Sequence, residues 1–241
     1  PPPHPGPSAD PRRSAPVAAP LRLAGTRPRL PWAGRYHGRR RWPALQARAQ
    51  TWPARPVRLV VPFPPGSGSD VAARVVGQHL GNALGQQFVI DNKPGAGGSI
   101  GAMEVVRAAP DGYTLFFGSS SSLAANVSLL KTMPYDPAKD LAPVAGIADS
   151  VTALVVRSNF PAATLAEFVA HVKQRPGKLN ASYGSSSTQI ALAALTKVAD
   201  LDVMGVPYKG TPLAVQDLLA GNVDFTFADL GTILGHVRAG T

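Results

Sequence analysis

Val57-Arg58-Leu59-Val60-Val61-Pro62-Phe63 is followed at once by Pro64-Pro65-Gly66-Ser67-Gly68-Ser69-Asp70. A helical spacing of apolar residues, Ala72, Val76, Leu80 and Ala83, then begins. The short β-branched run reads as a buried parallel strand spanning Val57–Phe63. The Pro/Gly/Ser stretch reads as a turn, and Ser69 or Asp70 as the N-cap of a helix reaching about Leu84.

The same unit recurs downstream. Phe88–Asp91 reads as a strand, Lys93–Gly98 as a Gly-rich loop, and Ser99 as the cap of a helix to about Ala109. Tyr113–Gly118 follows as a strand and runs into four serines, Ser119 to Ser122. A second series opens near Leu141, past a boundary at Tyr135–Leu141. It holds strands at Val151–Val156, Leu179–Tyr183, Val203–Val206 and Val223–Phe227. Helices alternate with them: one capped by Thr164, then Thr188–Val198, one marked by Leu213, Val215, Leu218 and Leu219, and Gly231–Arg238. Alternation of this kind predicts an α/β fold with parallel-rich sheets flanked by helices. The division is a first α/β lobe at 51–140 and a second at 141–241.

Residues 1–50 differ in kind. They hold 11 of the 25 prolines, ten of the 24 Lys+Arg and one of the 14 acids, a local net charge of +9. Residues 51–241 keep 14 basic and 13 acidic residues, a net charge of +1. With no helical or strand period, residues 1–50 are expected to be disordered. Ala47-Arg48-Ala49 has the small-x-small pattern of a signal-peptidase site, but no apolar stretch precedes it. A frame shifted or mis-started upstream of about Ala44 is the expectation, which makes this a mis-translated signal region. A nucleic-acid role would rest on these arginines alone, and no nucleic-acid partner is expected.

Several classes of chemistry are excluded. There is no Cys, hence no disulfide, thiolate metal site or Cys nucleophile. Gly66-Ser67-Gly68 and Gly95-Ala96-Gly97 both lack the third glycine of a dinucleotide fingerprint, and no phosphate-binding G-x-x-x-x-G-K-[ST] loop exists. The serine runs lack a G-x-S-x-G frame. The five histidines are scattered, and no carboxylate pairing suggests metal or glycosidase work. No catalytic residue, metal site or cofactor is assigned.

Three loops share one design: Pro62–Ser69, Gly118–Ser122 and Gly184–Ser187 each follow a strand and open a helix. Open α/β sheets bind ligands at strand C-terminal ends, and helix N-termini with free amides suit a carboxylate or phosphate. An α/β enzyme using a loop serine on a phosphorylated or acyl substrate is the alternative, although no base is visible for it.

Longer stretches carry a family resemblance. They are Trp52–Gly66 (WPARPVRLVVPFPPG), Asp91–Gly98 (DNKPGAGG), Ala109–Leu115 (APDGYTL), Pro134–Pro137 (PYDP), Pro176–Asn180 (PGKLN), Val206–Gly210 (VPYKG), Asp217–Gly221 (DLLAG) and Val223-Asp224. In order and spacing they resemble the Bug family, the substrate-binding proteins of tripartite tricarboxylate transporters. The resemblance covers residues 51–241. It implies a two-lobe, type II periplasmic binding protein of the Venus-flytrap kind, incomplete at its C-terminus. It also implies a monomer that captures a small organic anion (a di- or tricarboxylate, acidic amino acid or aromatic acid) and works with the membrane subunits of the transporter.

Carried over residue by residue, the first lobe contributes Phe63, Pro64, Gly66, Ser67, Gly68, Ser69 and Asp70, then Ser119, Ser120, Ser121, Ser122, Ala125 and Asn126. The second contributes Ser185, Ser186, Ser187 and Asp229, the last facing an amino or hydroxyl group of the ligand or capping the following helix. Two departures from the family pattern stand out. The Gly184–Thr188 loop is about two residues short, and Ile190 stands where many members have His.

Overall fold

The computed structural model describes residues 51–241. The expectations for residues 1–50 lie outside the described residues. Two sheets organise the rest. The first is all parallel, with β1 (Val57–Val61) between β2 (Phe88–Asn92) and β3 (Thr114–Phe116). The second has the order β4 (Thr152–Val156), β7 (Phe225–Asp229), β5 (Asn180–Tyr183), β6 (Met204–Pro207). In it β4 runs antiparallel to β7, and the other pairs are parallel.

Alternation along the strands sorts side chains between two faces. In the second sheet Phe225 and Ala181 pack with Phe168 and Val172 of α4 (Leu165–Lys173) and Leu192 of α5 (Ser186–Ala199). Phe168 meets Phe225 edge-on, with ring centroids 5.0 Å apart. The neighbouring Ala228 faces the other way, onto Val215 of α6 (Thr211–Ala220) and Ile233 of α7 (Leu230–Arg238). In the first sheet Leu59 and Val61 pack on Ala73 of α1 (Gly68–Leu84), with Ile90, Leu115 and Phe117 beside them. A second helix, α2 (Ser99–Val106), also packs on β1 and β3.

The element boundaries depart from expectation where local chemistry decides them. Strand β1 ends at Val61, before Pro62, which has no N–H to offer a ladder. The cap of α1 is Ser67 rather than Ser69 or Asp70, because the Ser67 side chain accepts from the Asp70 amide. Gly98 occupies the N-cap position of α2 with φ 96°, so Ser99 is its first residue, and the helix stops at Val106. Helix α5 opens at Ser186, since a reciprocal Ser185/Thr188 capping box starts it two residues early. Strand β7 lies two residues later than expected, because Gly221 closes α6 in the left-handed region and the turn consumes residues to Asp224. The expected Thr164 cap is present as a full capping box with Glu167.

Phe225 is fully buried at the centre of the larger core. Phe225→Ala is expected to cost about 3–5 kcal/mol, from lost transfer energy plus a cavity. Urea unfolding of parent and variant measures it as a lower midpoint with an unchanged slope.

Candidate functional site

In the first sheet β1 leads through α1 to β2 on one side, while β3 lies on the other, because the strand order is β2-β1-β3. In the second, β5 leads through α5 to β6 on one side, while β7 lies on the other. Each sheet therefore has a switch point, where diverging loops leave a crevice at the strand C-terminal ends. The loops at the two switch points meet each other.

The contacts form a ring. The Gly68 amide donates to Thr232 Oγ1 of α7 at 3.1 Å. A Cβ added to Gly68 would sit 3.3 Å from Asp229 Cβ, and one on Gly231 would sit 3.1 Å from Gly68 Cα. Gly210, before α6, packs on Pro64 so closely that a Cβ there would collide with the Pro64 ring. A Cβ on Gly184 would collide with the Gly210–Thr211 backbone. Across from these, Ser187 Oγ lies 3.0 Å from Ser120 Oγ and 2.9 Å from Ser121 Oγ, and its amide donates to Ser121 Oγ at 3.1 Å. Ser186 donates to Asn126 Oδ1, and Asn126 Nδ2 donates to the Gly97 carbonyl at 3.0 Å and Ser99 Oγ at 3.2 Å. Gly98 returns the ring to Pro62 and Ser122, each 3.3 Å or less from where its Cβ would be.

Each sequence-derived residue has a definite place in this ring. Phe63 is buried, and its carbonyl accepts from Asn92 Nδ2. Gly66 takes the left-handed φ of 79° that turns the loop, and its amide donates to Asp70. Ser67 caps α1, and Ser69 is half-buried in its first turn. Ser121 to Ala125 form a wide π turn that runs into α3 (Asn126–Leu129), with Ser120 at its start. Ser122 Oγ accepts from the Ser119 amide and donates to the Ser119 carbonyl. Ser119 Oγ is buried with no hydrogen-bond partner among the described residues. Ser185 caps α5. Ile190 is exposed on the same helix.

The sequence reading did not single out Gly97, Ser99, Tyr135, Gly210, Thr211 or Thr232. Gly97 and Gly210 carried a signal, since each stands in a Gly-rich or Pro-rich stretch just before a helix. Thr232 carried none, because only the approach of α7 to α1 brings it to Gly68.

The charge distribution is unusual for an anion site. Stretches 62–69, 95–99, 118–126 and 184–188 contain no Lys, Arg or His. Asp70 is buried but already engaged: its carboxylate accepts from Arg74 Nε, the Gly66 amide and Asn92 Nδ2, all at 3.0 Å. Burial by itself would raise its pKa, but the bonds from Arg74, Gly66 and Asn92 outweigh that and hold it below the ordinary aspartate value. Asp70 thus braces the loop from behind. Asp229 is the reverse case. It stands at the N-cap position of α7 without a capping side-chain bond, and Thr152 Oγ1 donates to it at a long 3.5 Å. Burial pushes its carboxyl above the usual range, only partly offset by Thr152 and Ser150.

The sequence profile described as the tripartite tricarboxylate transporter family receptor matches residues 72–241. The chain belongs to this family. Protein BugT of Bordetella pertussis is 39% identical over 202 residues, covering 82% of this chain and 61% of BugT. An R. palustris protein solved with adipate is 34% identical with a TM-score of 0.77, covering 78% of this chain and 64% of that one. MatC from Rhodopseudomonas palustris, solved with bound malate, is 34% identical with a TM-score of 0.73, covering 78% and 65%. The fold is the periplasmic-binding-protein fold, and these relatives are solute-binding receptors. The loop-serine enzyme alternative is therefore set aside. The chain spans about three fifths of the length of the curated relatives it matches.

Two substitutions test the opposed carboxyls. Asp70→Ala strands three donors and is expected to cost about 3 kcal/mol. Because the folded pKa of Asp70 is depressed, its contribution is full at neutral pH, begins to fall near the ordinary aspartate value of about 4, and is lost as pH drops through the folded pKa. Asp229→Asn is expected to raise the melting temperature at pH 7, since a carboxyl with a raised folded pKa costs stability when ionised. That gain shrinks as pH falls through the folded pKa of Asp229. Thermal melts of the variants between pH 3 and 8 check both signs.

Proposed function

We propose that this chain captures a small carboxylate in the periplasm for delivery to the membrane subunits of a tripartite transporter. The supporting observation is the opposition of two switch points lined by helix N-termini and small hydroxyl residues, without a basic side chain in those four stretches. The first turn of each helix leaves amides without intrahelical partners, and its dipole places positive partial charge there. Four such starts, those of α1, α5, α6 and α7, come from both sheets. A carboxylate spanning them would receive charge-assisted N–H bonds in a partly dry crevice.

In this reading the Ser69 amide, the one of the Gly66–Ser69 set not donated to Asp70, Pro64 or Thr232, holds a carboxylate oxygen, and the orphan Ser119 hydroxyl offers a further donor. Phe63 and Pro64 form the apolar wall. Asp229 faces a hydroxyl, amino or protonated group of the ligand and disfavours a second bare carboxylate beside it. Ser120–Ser122, Ala125, Asn126 and Ser185–Ser187 close the opposite side. The lobes 51–140 and 141–241 are the two jaws. The adipate and malate held by the two solved relatives make dicarboxylates the first ligands to try.

The test is a thermal-shift titration with adipate, malate, citrate, glutamate and benzoate. One class is expected to raise the melting temperature saturably, with about 2.7 kcal/mol of stabilisation at a hundredfold excess over Kd. The dimethyl ester of the active acid, which has the same shape without the charge, is expected to give no shift. An ester as effective as its acid would remove the helix-terminus account.

A further inference from the structure

Asn126 lies in the cleft-facing segment of the first sheet, yet it is fully buried and its hydrogen-bonding groups are spent inside the protein. Both described bonds from Nδ2 go to Gly97 and Ser99, and Oδ1 takes the Ser186 hydroxyl from the second sheet. Ser121 and Ser186 are also buried, at 2% and 7% exposure. The Ser187 hydroxyl is shared between Ser120 and Ser121, and the Ser187 amide, one of the free amides of the α5 first turn, is taken by Ser121 Oγ. Four hydrogen bonds thus join the N-terminus of α5 directly to the serine turn of the other sheet.

A carboxylate at the same place would need those groups free. The amide a carboxylate would use at α5 is capped by a protein hydroxyl. The space above is also closed. A Cβ on Gly97 would sit 2.6 Å from Ser186 Oγ and 2.9 Å from Asn126 Oδ1, so even a methyl group does not fit. Gly97 also has φ 62°, which favours glycine there. A network whose polar groups are paired is rigid, and four of its bonds bridge the two sheets.

We propose that Ser186 and Ser187, with Ser120, Ser121 and Asn126, form a hydroxyl clasp that holds the two sheets together before any ligand is bound. These residues then set the free-state balance of open and closed forms and are positioning residues, while ligand contact falls to groups without a protein partner on the other side of the ring, the Ser69 amide and the Ser119 hydroxyl. The clasp rests on the carboxylate-binding reading only for that last division of labour. The closed fraction in turn scales the apparent affinity, because a ligand binding the closed form gains whatever the clasp has already contributed.

The full chain has no Cys, so Lys131→Cys and Lys197→Cys, both at exposed positions on opposite sides of the clasp, accept spin labels uniquely. Pulsed dipolar distances are measured without ligand. The parent is expected to show one dominant short distance. Ser187→Ala and Ser121→Ala are expected to raise a longer-distance population about fivefold, the equivalent of one net hydrogen bond. Ser187→Thr, which keeps the hydroxyl and amide, restores the parent distribution, and exposed Ser128→Ala leaves it unchanged. Circular dichroism verifies folding, and the exposed Ser120→Ala replaces any variant that does not fold. A parent that is mostly open, or alanine variants with the parent's distances, overturns the clasp. Adipate and malate titrations separate the two readings. A closed parent that binds neither speaks against the ligand reading and leaves the clasp standing. A Ser187→Ala variant with unchanged ligand-free distances but weakened adipate binding marks Ser187 as a ligand contact and overturns the clasp.

Discussion

Helix starts from two separate sheets are pointed at one another, and positive partial charge at each must be answered. A helix N-terminus carries roughly half an elementary charge, so bringing several together is unfavourable unless oxygen atoms lie between them. The chain answers with short polar side chains in place of charged ones. Ser67 and Ser185 cap their own helices, Thr232 takes the Gly68 amide, and Ser121 takes the Ser187 amide. Hydroxyl oxygens accept the amides without imposing a fixed negative charge, so a residual positive field remains there. An Asp or Glu at each of these positions would neutralise that field.

The two aspartates of the ring show how that field is preserved. Asp70 belongs to the first turn of α1, where a free carboxylate would compete with a ligand for the same amides. Its charge is turned backward to Arg74, Asn92 and Gly66, so it stiffens the loop without occupying the crevice. Asp229 has no such partner and is desolvated instead. A buried carboxyl with weak local pairing is costly to keep, and functional sites are where such costs are tolerated. The pair thus sets one residue type in two opposite electrostatic states, through environment alone.

Much of the fold was legible because it depends on periodicity. The β-branched runs at Val57 and Val151 and the spaced apolar residues of α4 and α6 mark elements wherever the strands later pair. Boundaries were less legible, because they turn on which of several adjacent cap-competent residues wins. Ser67, Ser69 and Asp70 are all good caps by type, and only the burial of Asp70 beside Arg74 leaves Ser67 in that role. The convergence of the Ser/Gly loops followed from their shared strand–loop–helix design. Their partners did not. Thr232 and Tyr135 reach the ring through contacts between separate segments, such as the Tyr135 hydroxyl on the Ser122 carbonyl, and no local pattern encodes them.

Glycine placement shows why such a ring tolerates little change. Gly68, Gly97, Gly184, Gly210 and Gly231 each stand where a Cβ would meet another loop within 3.3 Å. Only two of the strand-to-helix loops, at Gly66 and Gly97, use a left-handed glycine for the turn itself. For the others the demand is proximity: backbone must approach backbone if the amides of one helix are to sit near the hydroxyls of another. Larger residues at these positions would space the two sheets by an extra methyl group or more. Hydrogen bonds of about 3 Å do not survive that separation, so these glycines set how closely the loops can approach one another.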